Sequence, residues 1–443
     1  RDGEAAIIIG TRSAIFTPLA RPGLIIVDEE HDLSYKQQDG LRYNARDLAV
    51  YRGHLDQVPV ILGSATPSLE SLHNVQQGRY QHLRLTIRAG NAKAPSFQCL
   101  DIRSRPLEGG LSRPLTDLVS QHLGRGNQVL VFINRRGFAP TLMCHDCGWI
   151  AECRRCDARM TVHQSPPHLH CHHCNSQRPL DRCCPKCQSE DLRPLGAGTE
   201  RTEEFLKERF ADTTVLRIDR ESMSRKRAMQ EMMEVIHSAQ PCILVGTQML
   251  AKGHHFPNVT LVAILDADGG LFSADFRGPE RMAQMITQVA GRAGRAEKPG
   301  QVIIQTHMAE HPLLIELTER GYPAIAEREL AERAIAQLPP YRFMALLRAE
   351  ANHARAAEDF LEAALEQAEA LVAQHQLADI DLLGPVPSPM ERRAGRHRAQ
   401  LLLQAAQRSA LHQLVHMLLP GLEQHPLARK VRWSIDIDPL DMF

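Results

Sequence analysis

The chain has 443 residues, enough for about three domains, and its 52 Lys plus Arg balance 52 Asp plus Glu, so the formal net charge is zero. Bulk charge therefore argues neither for nor against a polyanionic partner, and local basic clusters must carry that case. No apolar run reaches the ~18–20 residues of a membrane span, no charged-then-apolar signal peptide is present, and eight of the 11 cysteines fall in Cys-x-x-Cys pairs, which predicts a cytoplasmic metal protein.

The chain opens at Arg1 inside a motif-bearing segment, which predicts that it is part of a longer protein. Residues 1–88 read as alternating strands and helices. Ala5–Ile9, Leu24–Val27 and Val58–Leu62 are short apolar runs rich in β-branched side chains, the pattern of parallel strands covered on both faces. The second run ends in Asp28-Glu29-Glu30-His31, so carboxylates fall at the C-terminal edge of the sheet, where open α/β sheets bind ligands. Asp28 suits Mg²⁺, directly or through water, and Glu29 suits orienting or deprotonating the attacking water of ATP hydrolysis. A charged helix start after a strand is the plain alternative. Tyr35-Lys36-Gln37-Gln38 and Arg42-Tyr43-Asn44-Ala45-Arg46 interleave aromatic, basic and amide side chains that can stack bases and hold phosphates. Tyr35, Lys36, Arg42 and Tyr43 are thus candidate DNA contacts, against the alternative of a polar surface loop. Gly63-Ser64-Ala65-Thr66-Pro67 resembles the Ser-Ala-Thr element that couples the two lobes of superfamily 2 helicases, and a helix cap would use the same residue types.

Residues 89–113 hold Gly, Pro and Ser with little periodicity and predict a linker; Val129–Ile133 resumes the strand pattern. From 141 to 196 the chain is rich in Cys, His, Pro and Arg and poor in core formers, so metal must supply its folding energy. Cys144/Cys147, Cys153/Cys156, Cys171/Cys174 and Cys184/Cys187 suit two tetrahedral four-cysteine Zn²⁺ sites, structural because no open position is implied. A disulfide cluster is disfavoured in a reducing compartment. Four knuckles pair into two sites in three ways, the 14 residues between the inner two allow a hairpin, and His170, His172 and His173 crowd the third knuckle as substitute ligands.

Strands return at Val215–Ile218, Cys242–Val245, Leu261–Leu265 and Val302–Thr306, with helices at 200–210 and 222–237. In Gln288-Val289-Ala290-Gly291-Arg292-Ala293-Gly294-Arg295, the arginines have the spacing to reach nucleotide phosphates and stabilise charge on a transferring phosphoryl group. A basic turn with Gly caps is the alternative. Beyond 335, strands at Phe343–Ala351, Ile380–Leu383, His397–Gln404 and Lys430–Ile437 and helices at Ala354–Gln374 and 408–419 give the order βαββαβ, a ferredoxin-like α+β domain. The run Arg392-Arg393-Ala394-Gly395-Arg396-His397-Arg398 suits salt-sensitive phosphate contact, or else a solvated basic loop.

Taken together, these motifs resemble the PriA family of replication-restart helicases over nearly the whole chain. Gly10-Thr11-Arg12-Ser13-Ala14 resembles the family's nucleic-acid contact motif, and Asp28–His31 its DEEH box. Val129–Pro140, with Asn134-Arg135-Arg136-Gly137-Phe138, resembles the fourth motif, Gly246-Thr247-Gln248-Met249-Leu250-Ala251-Lys252-Gly253 the fifth, and Gln288–Arg295 the sixth. The knuckle insertion between the fourth and fifth motifs is the most specific mark. The resemblance implies an α/β protein of RecA-like helicase lobes with an inserted two-zinc Cys-rich module and a C-terminal ferredoxin-like α+β domain. Its parts would be 1–90, the remainder of a first lobe; 91–140 with 197–334, a second lobe; 141–196, the zinc insertion; and 335–443, the C-terminal domain.

It further implies an ATP- and Mg²⁺-dependent 3′ to 5′ DNA helicase that recognises stalled or repaired forks and starts primosome assembly. Forked and single-stranded DNA, PriB, DnaT and single-stranded DNA-binding protein would be its partners. Asp28, Gln288, Arg292 and Arg295 would serve the nucleotide, and Thr11, Arg12 and Thr247 would join the DNA contacts. The family pattern also favours nested zinc sites, with Cys144, Cys147, Cys184 and Cys187 in one and Cys153, Cys156, Cys171 and Cys174 in the other. One departure stands out: no G-x-x-x-x-G-K-[ST] phosphate loop occurs in this sequence. The family's DNA-end-binding domain and winged helix are likewise not found in it. These 443 residues are expected to turn over no ATP alone, and a non-enzymatic zinc-bearing DNA and partner platform is the competing reading. A translocase on RNA or duplex DNA is a third, against which the knuckle insertion argues.

Overall fold

The computed structural model describes residues 5–85, 94–133, 141–155, 159–164, 167–171, 176–194, 199–218, 228–238, 240–247, 256–273, 275–294, 298–440 and 442. Its contacts gather into two compact units, Arg1–Gln81 with Glu329–Phe443, and His82–Arg328.

The unit His82–Arg328 is built on a six-stranded parallel sheet. Its spatial order is Thr214–Ile218, Cys242–Gly246, Gln128–Ile133, Val259–Leu265, Gln301–Thr306 and Ser96–Asp101. The three strands Cys242–Gly246, Gln128–Ile133 and Val259–Leu265 are buried along their whole length, which is why Cys242–Val245, Val129–Ile133 and Leu261–Leu265 read as apolar runs. Helix Arg113–Gly124 lays Leu115, Val119 and Leu123 against Val129, Val131, Ile243, Val245, Leu261 and Ala263. Those strand positions alternate, as one face of a pleated sheet requires. The strand Gln128–Ile133 has later strands on both sides, so the C-terminal edge beside it is a switch point of the kind that holds ligands.

The expected linker at 89–113 is instead partly structural. Ser96–Asp101 is the edge strand of the sheet, in register with Gln301–Thr306, and Leu107–Glu108 pairs with Leu111–Ser112 in a small hairpin. As an edge strand it is only half covered, so its polar residues broke the apolar pattern.

The Cys-rich insertion leaves and rejoins this unit at one place, because Leu142–Cys144 pairs antiparallel with Leu192–Pro194. Within it, Thr161–Gln164 and Pro167–His170 form a hairpin extended by Gln177–Arg178. The insertion has more core than its composition predicts: Leu142, Ala151, Met160, Val162 and Leu169 are buried together, with Trp149, Leu180 and Leu192 packed on them.

In the other unit, Ile25–Val27 and Val60–Leu62 pair in parallel. Asn44 and Ser68 cap the helices Ala45–Asp56 and Leu69–Gln76 by accepting backbone N–H bonds at their first turns. Ala5–Ile9 is not a strand; it pairs with no strand among the described residues and leaves Ile9 93% exposed. A β-branched run becomes a strand only where a neighbouring backbone completes its hydrogen bonds. The C-terminal strands lie in the order Ile380–Arg393, Arg396–Ala405, Phe343–Ala351, Arg432–Ile437, all antiparallel, which is the ferredoxin-like arrangement of βαββαβ. Helix Ala354–His375 buries Ala357, Phe360, Leu361, Ala364 and Ala368 at helical spacing, beside Leu411, Leu414 and Leu418 of helix Arg408–Gln424. The basic run of this domain forms a hairpin tip: Arg392 and Arg393 are exposed across from His397 and Arg396, whereas Arg398 is buried against Glu350 at 3.1 Å.

Candidate functional site

The acidic box begins where the strand Ile25–Val27 ends, and its residues have separate fates. Asp28 is exposed, and its Oδ1 accepts the Glu29 N–H at 3.0 Å. Glu29 holds a positive φ of 47°, which turns the chain sharply at the sheet edge. Its Oε2 is buried without a hydrogen bond and lies 3.7 Å from His31 Nδ1. That oxygen keeps its acceptor capacity open. Glu30 is 2% exposed and wholly structural. Its oxygens accept from Ser68 N at 2.6 Å, from the Ser68 and Ser71 hydroxyls at 3.0 Å each, and from Arg46 Nη1 at 3.2 Å. His31 Nδ1 lies 2.7 Å from Ser64 Oγ, which also accepts the Thr66 N–H at 2.9 Å. The acidic box and the Ser-Ala-Thr element are thus in direct contact.

The aromatic-basic loop behind the box is tied down at several points. Tyr35 donates its hydroxyl to the Asp28 carbonyl at 2.7 Å, and burial, then the Asp28 charge, holds that hydroxyl above its ordinary pKa. Arg12 Nη1 donates to the carbonyls of Ser34 and Lys36 at 3.2 and 3.1 Å, linking the segment after Thr11, itself exposed, to the same loop. The Tyr43 ring meets Phe16 edge-on, with centroids 4.9 Å apart.

Two expected DNA contacts are otherwise engaged. Lys36 is 3% exposed, and its Nζ lies 2.9 Å from Asp436 Oδ1 and donates to the Ile437 carbonyl at 2.5 Å. Arg42 Nη1 stands 4.0 Å and Arg348 Nη1 3.6 Å from Asp436 Oδ2. One buried carboxylate on the last strand therefore gathers three cations and pins the loop to the C-terminal domain. A phosphate contact through Lys36 requires breaking that pair. Nothing in the sequence marked Asp436, because the pairing joins positions about 400 residues apart.

In the second unit, Thr247 follows the strand Cys242–Gly246 at the C-terminal sheet edge and is half-buried. Gln288 is half-buried on helix Gly278–Ala290, and Arg292 is 5% exposed in the turn after it. Arg295, Asn134–Pro140, Gln248–Gly253 and the helical start expected at 222–227 lie outside the described residues.

Sequence patterns gave no sign of two acids at this edge. Asp266 leaves the strand Val259–Leu265 with φ 58°, and burial, then the neighbouring Asp268, pushes its pKa up to about 7. Asp268 begins a buried ladder. Its Oδ2 is 2.6 Å from His307 Nδ1, His307 Nε2 is 2.8 Å from His145 Nδ1, and His145 Nε2 is 2.8 Å from the Arg105 carbonyl. Donor and acceptor roles along the ladder follow the tautomers of the two imidazoles. Burial holds the pKa of His145 below the ordinary imidazole range. His145 sits between Cys144 and Cys147, so this ladder braces the first knuckle against the sheet edge.

The outer knuckles do converge. The sulfurs of Cys144, Cys147, Cys184 and Cys187 lie within 4.8 Å of one another, with Cys144–Cys187 at 3.5 Å and Cys147–Cys184 at 3.6 Å. Tetrahedral Zn²⁺ with bonds of ~2.3 Å asks for sulfur separations of about 3.8 Å, so the donors fit. Each knuckle turns back through a residue in the left-handed region, Gly148 at φ 72° and Gln188 at φ 63°, whose N–H groups donate to the Cys144 and Cys184 carbonyls. A side chain at Gly148 would crowd the His307 carbonyl, which explains glycine there. Burial pushes the Cys147 thiol up to about 12, so four sulfurs this close ionise together only around a cation. Of the inner set, Cys153 and Cys171 are buried in one cluster, and Cys156, Cys174, His172 and His173 lie outside the described residues.

Comparison with known proteins matches three stretches to described families. Residues 334–440 match the primosomal protein N C-terminal domain, 153–179 the PriA DNA helicase Cys-rich region domain, and 188–297 the helicase conserved C-terminal domain. The chain is 49% identical over 444 residues to the replication restart protein PriA of Haemophilus influenzae, covering 100% of this chain and 60% of that protein. It is 34% identical over 444 residues to the protein of the same name from Rickettsia felis, covering 99% of this chain and 67% of the relative. The chain thus spans about 60% of the length of the first of these relatives. Among solved structures, S. cerevisiae Dbp5 bound to RNA and ADP BeF3 aligns at 12% identity and a TM-score of 0.38, over 71% of this chain and 63% of that one.

Proposed function

The chain belongs to the PriA family of replication restart proteins, and from that premise we propose that it serves an ATP-dependent DNA helicase moving 3′ to 5′. In the intact protein this motor recognises stalled or repaired forks and D-loops, starts primosome assembly and so leads to reloading of the replicative helicase. It works in the cytoplasm, on forked and single-stranded DNA, with PriB, DnaT and single-stranded DNA-binding protein as partners.

The observation that carries this reading is the joined pair of motifs in the first unit, where His31 meets Ser64 beside Asp28 and Glu29. An acidic box hydrogen-bonded to a Ser-Ala-Thr element gives nucleotide state a direct path to a neighbouring segment. We assign Asp28 to Mg²⁺, Glu29 to the attacking water, and Gln288, Arg292 and Arg295 to the nucleotide and the charge on its transferring phosphoryl group. ATP and Mg²⁺ supply the chemical drive when bound. Thr11, Arg12, Tyr35, Tyr43 and Thr247 are assigned to DNA, while Lys36 and Arg42 anchor the loop that carries two of them. Two Zn²⁺ ions fold the insertion, the second held by Cys153, Cys156, Cys171 and Cys174.

Asp28→Asn in the full-length protein tests the assignment. DNA-stimulated ATP turnover is expected to fall roughly 100-fold or more, with zinc content and unfolding midpoint unchanged, since Asp28 is exposed and outside the core. Turnover within a few-fold of the parent would remove Asp28 from the reaction.

A further inference from the structure

Beyond the eight cysteines, a second kind of metal-ligating cluster lies in the insertion. The hairpin Thr161–Gln164 and Pro167–His170 pairs His163 directly with His168, and His170 follows two residues later on the same face. The three rings lie against one another, with centroids 4.7 Å apart for His163–His168, 5.4 Å for His163–His170 and 6.0 Å for His168–His170. One ring nitrogen from each lies within 4.8 Å of the others. His163 and His168 are half-buried, and His170 is buried.

We propose that His163, His168 and His170 form a third metal site, for a divalent transition ion, distinct in chemistry from the thiolate sites. Imidazole nitrogen is the commonest protein ligand for such ions and suits Zn²⁺, Ni²⁺ and Cu²⁺. The ladder register fixes two of the ligands across from each other and the third two residues on, so their convergence is set by backbone pairing. Bonds of ~2.0–2.1 Å put tetrahedral nitrogen separations near 3.4 Å. The nitrogens close by about an ångström through side-chain rotation, which half-buried His163 and His168 can make at small cost. Three protein ligands leave a fourth position for water or an anionic ligand, unlike the closed cysteine set. Because its donors carry no sulfur, the site is spectroscopically separable from its neighbours.

The test uses the 443-residue chain with its thiolate sites filled by Zn²⁺, titrated with Co²⁺ alone. One equivalent of Co²⁺ is expected to bind with visible d–d bands and without a sulfur-to-cobalt charge-transfer band. Losing an inner ligand should cost at least the roughly 100-fold in affinity that outer-shell changes reach, so His163→Asn and His168→Ala should each weaken Co²⁺ binding by that factor or more. Zinc content in both variants reports that the insertion is still folded. If His168→Ala lowers it, the half-exposed His163→Asn carries the test. No bound Co²⁺, a charge-transfer band in its place, or an affinity that the folded variants leave unchanged would overturn the third site.

Discussion

Neighbouring residues of one type do different work here, and burial decides which. Asp28, Glu29 and Glu30 are consecutive acids, yet Asp28 is exposed, Glu29 keeps one buried oxygen unbonded, and Glu30 is spent on two serines and Arg46. Asp436 is as fully engaged, with Lys36, Arg42 and Arg348 around it. Asp436→Leu strands the buried Lys36 ammonium and should cost about 3–5 kcal/mol in denaturant unfolding of the unit that holds both. Adding Lys36→Met should recover most of that loss, and a single variant as stable as the parent would mean the pair is not formed. Asp266 offers a pH signature. Its folded pKa of about 7 stands above the ordinary 3.8, so the folded state binds its proton more tightly than the unfolded chain does. Stability from this group is full below pH ~4 and is lost as pH rises through about 7. Asp266→Asn should therefore nearly match the parent near pH 4 and exceed it by about 4 kcal/mol at pH 8. Parallel pH profiles for the two proteins in chemical denaturation would exclude the raised pKa.

At the scale of elements, the insertion is a self-closing excursion: Leu142–Cys144 zips to Leu192–Pro194, and the four outer sulfurs sit directly beside that ribbon. Metal held by Cys144, Cys147, Cys184 and Cys187 would thus clamp the neck of the module. In the full-length protein, Cys184→Ser should release one zinc ion and reduce DNA unwinding more than DNA-stimulated ATPase, measured on the same preparation. Equal loss of both would show that the module supports the motor itself. The elements that were legible in the sequence are those buried on both sides. Within Gln128–Ile133, Cys242–Gly246 and Val259–Leu265, the stretches Val129–Ile133, Cys242–Val245 and Leu261–Leu265 carry no polar interruption because both faces are covered by protein. Ser96–Asp101 was hidden because an edge strand with one open side tolerates polar residues, and Ala5–Ile9 misled because β-propensity alone makes no ladder.

For the whole molecule, the proposed ATP turnover calls for a phosphate-cradling G-x-x-x-x-G-K-[ST] loop, and no such loop occurs in these 443 residues. The chain alone should show no DNA-stimulated ATP hydrolysis, whereas a version extended to the length of its relatives should; measurable turnover by the chain itself would refute the dependence. Spacing along the sequence was sufficient to mark the outer knuckles, whose sulfurs converge, and the order βαββαβ, because each follows from local residue type and interval. Tertiary structure alone decided that His31 touches Ser64, that Asp436 holds Lys36 across about 400 residues, and that Asp268 reaches the first knuckle through His307 and His145. Those pairings join segments far apart in the chain. Which distant groups meet is set by how helices and strands bury their apolar faces, and that packing leaves no periodic trace at the polar positions it brings together.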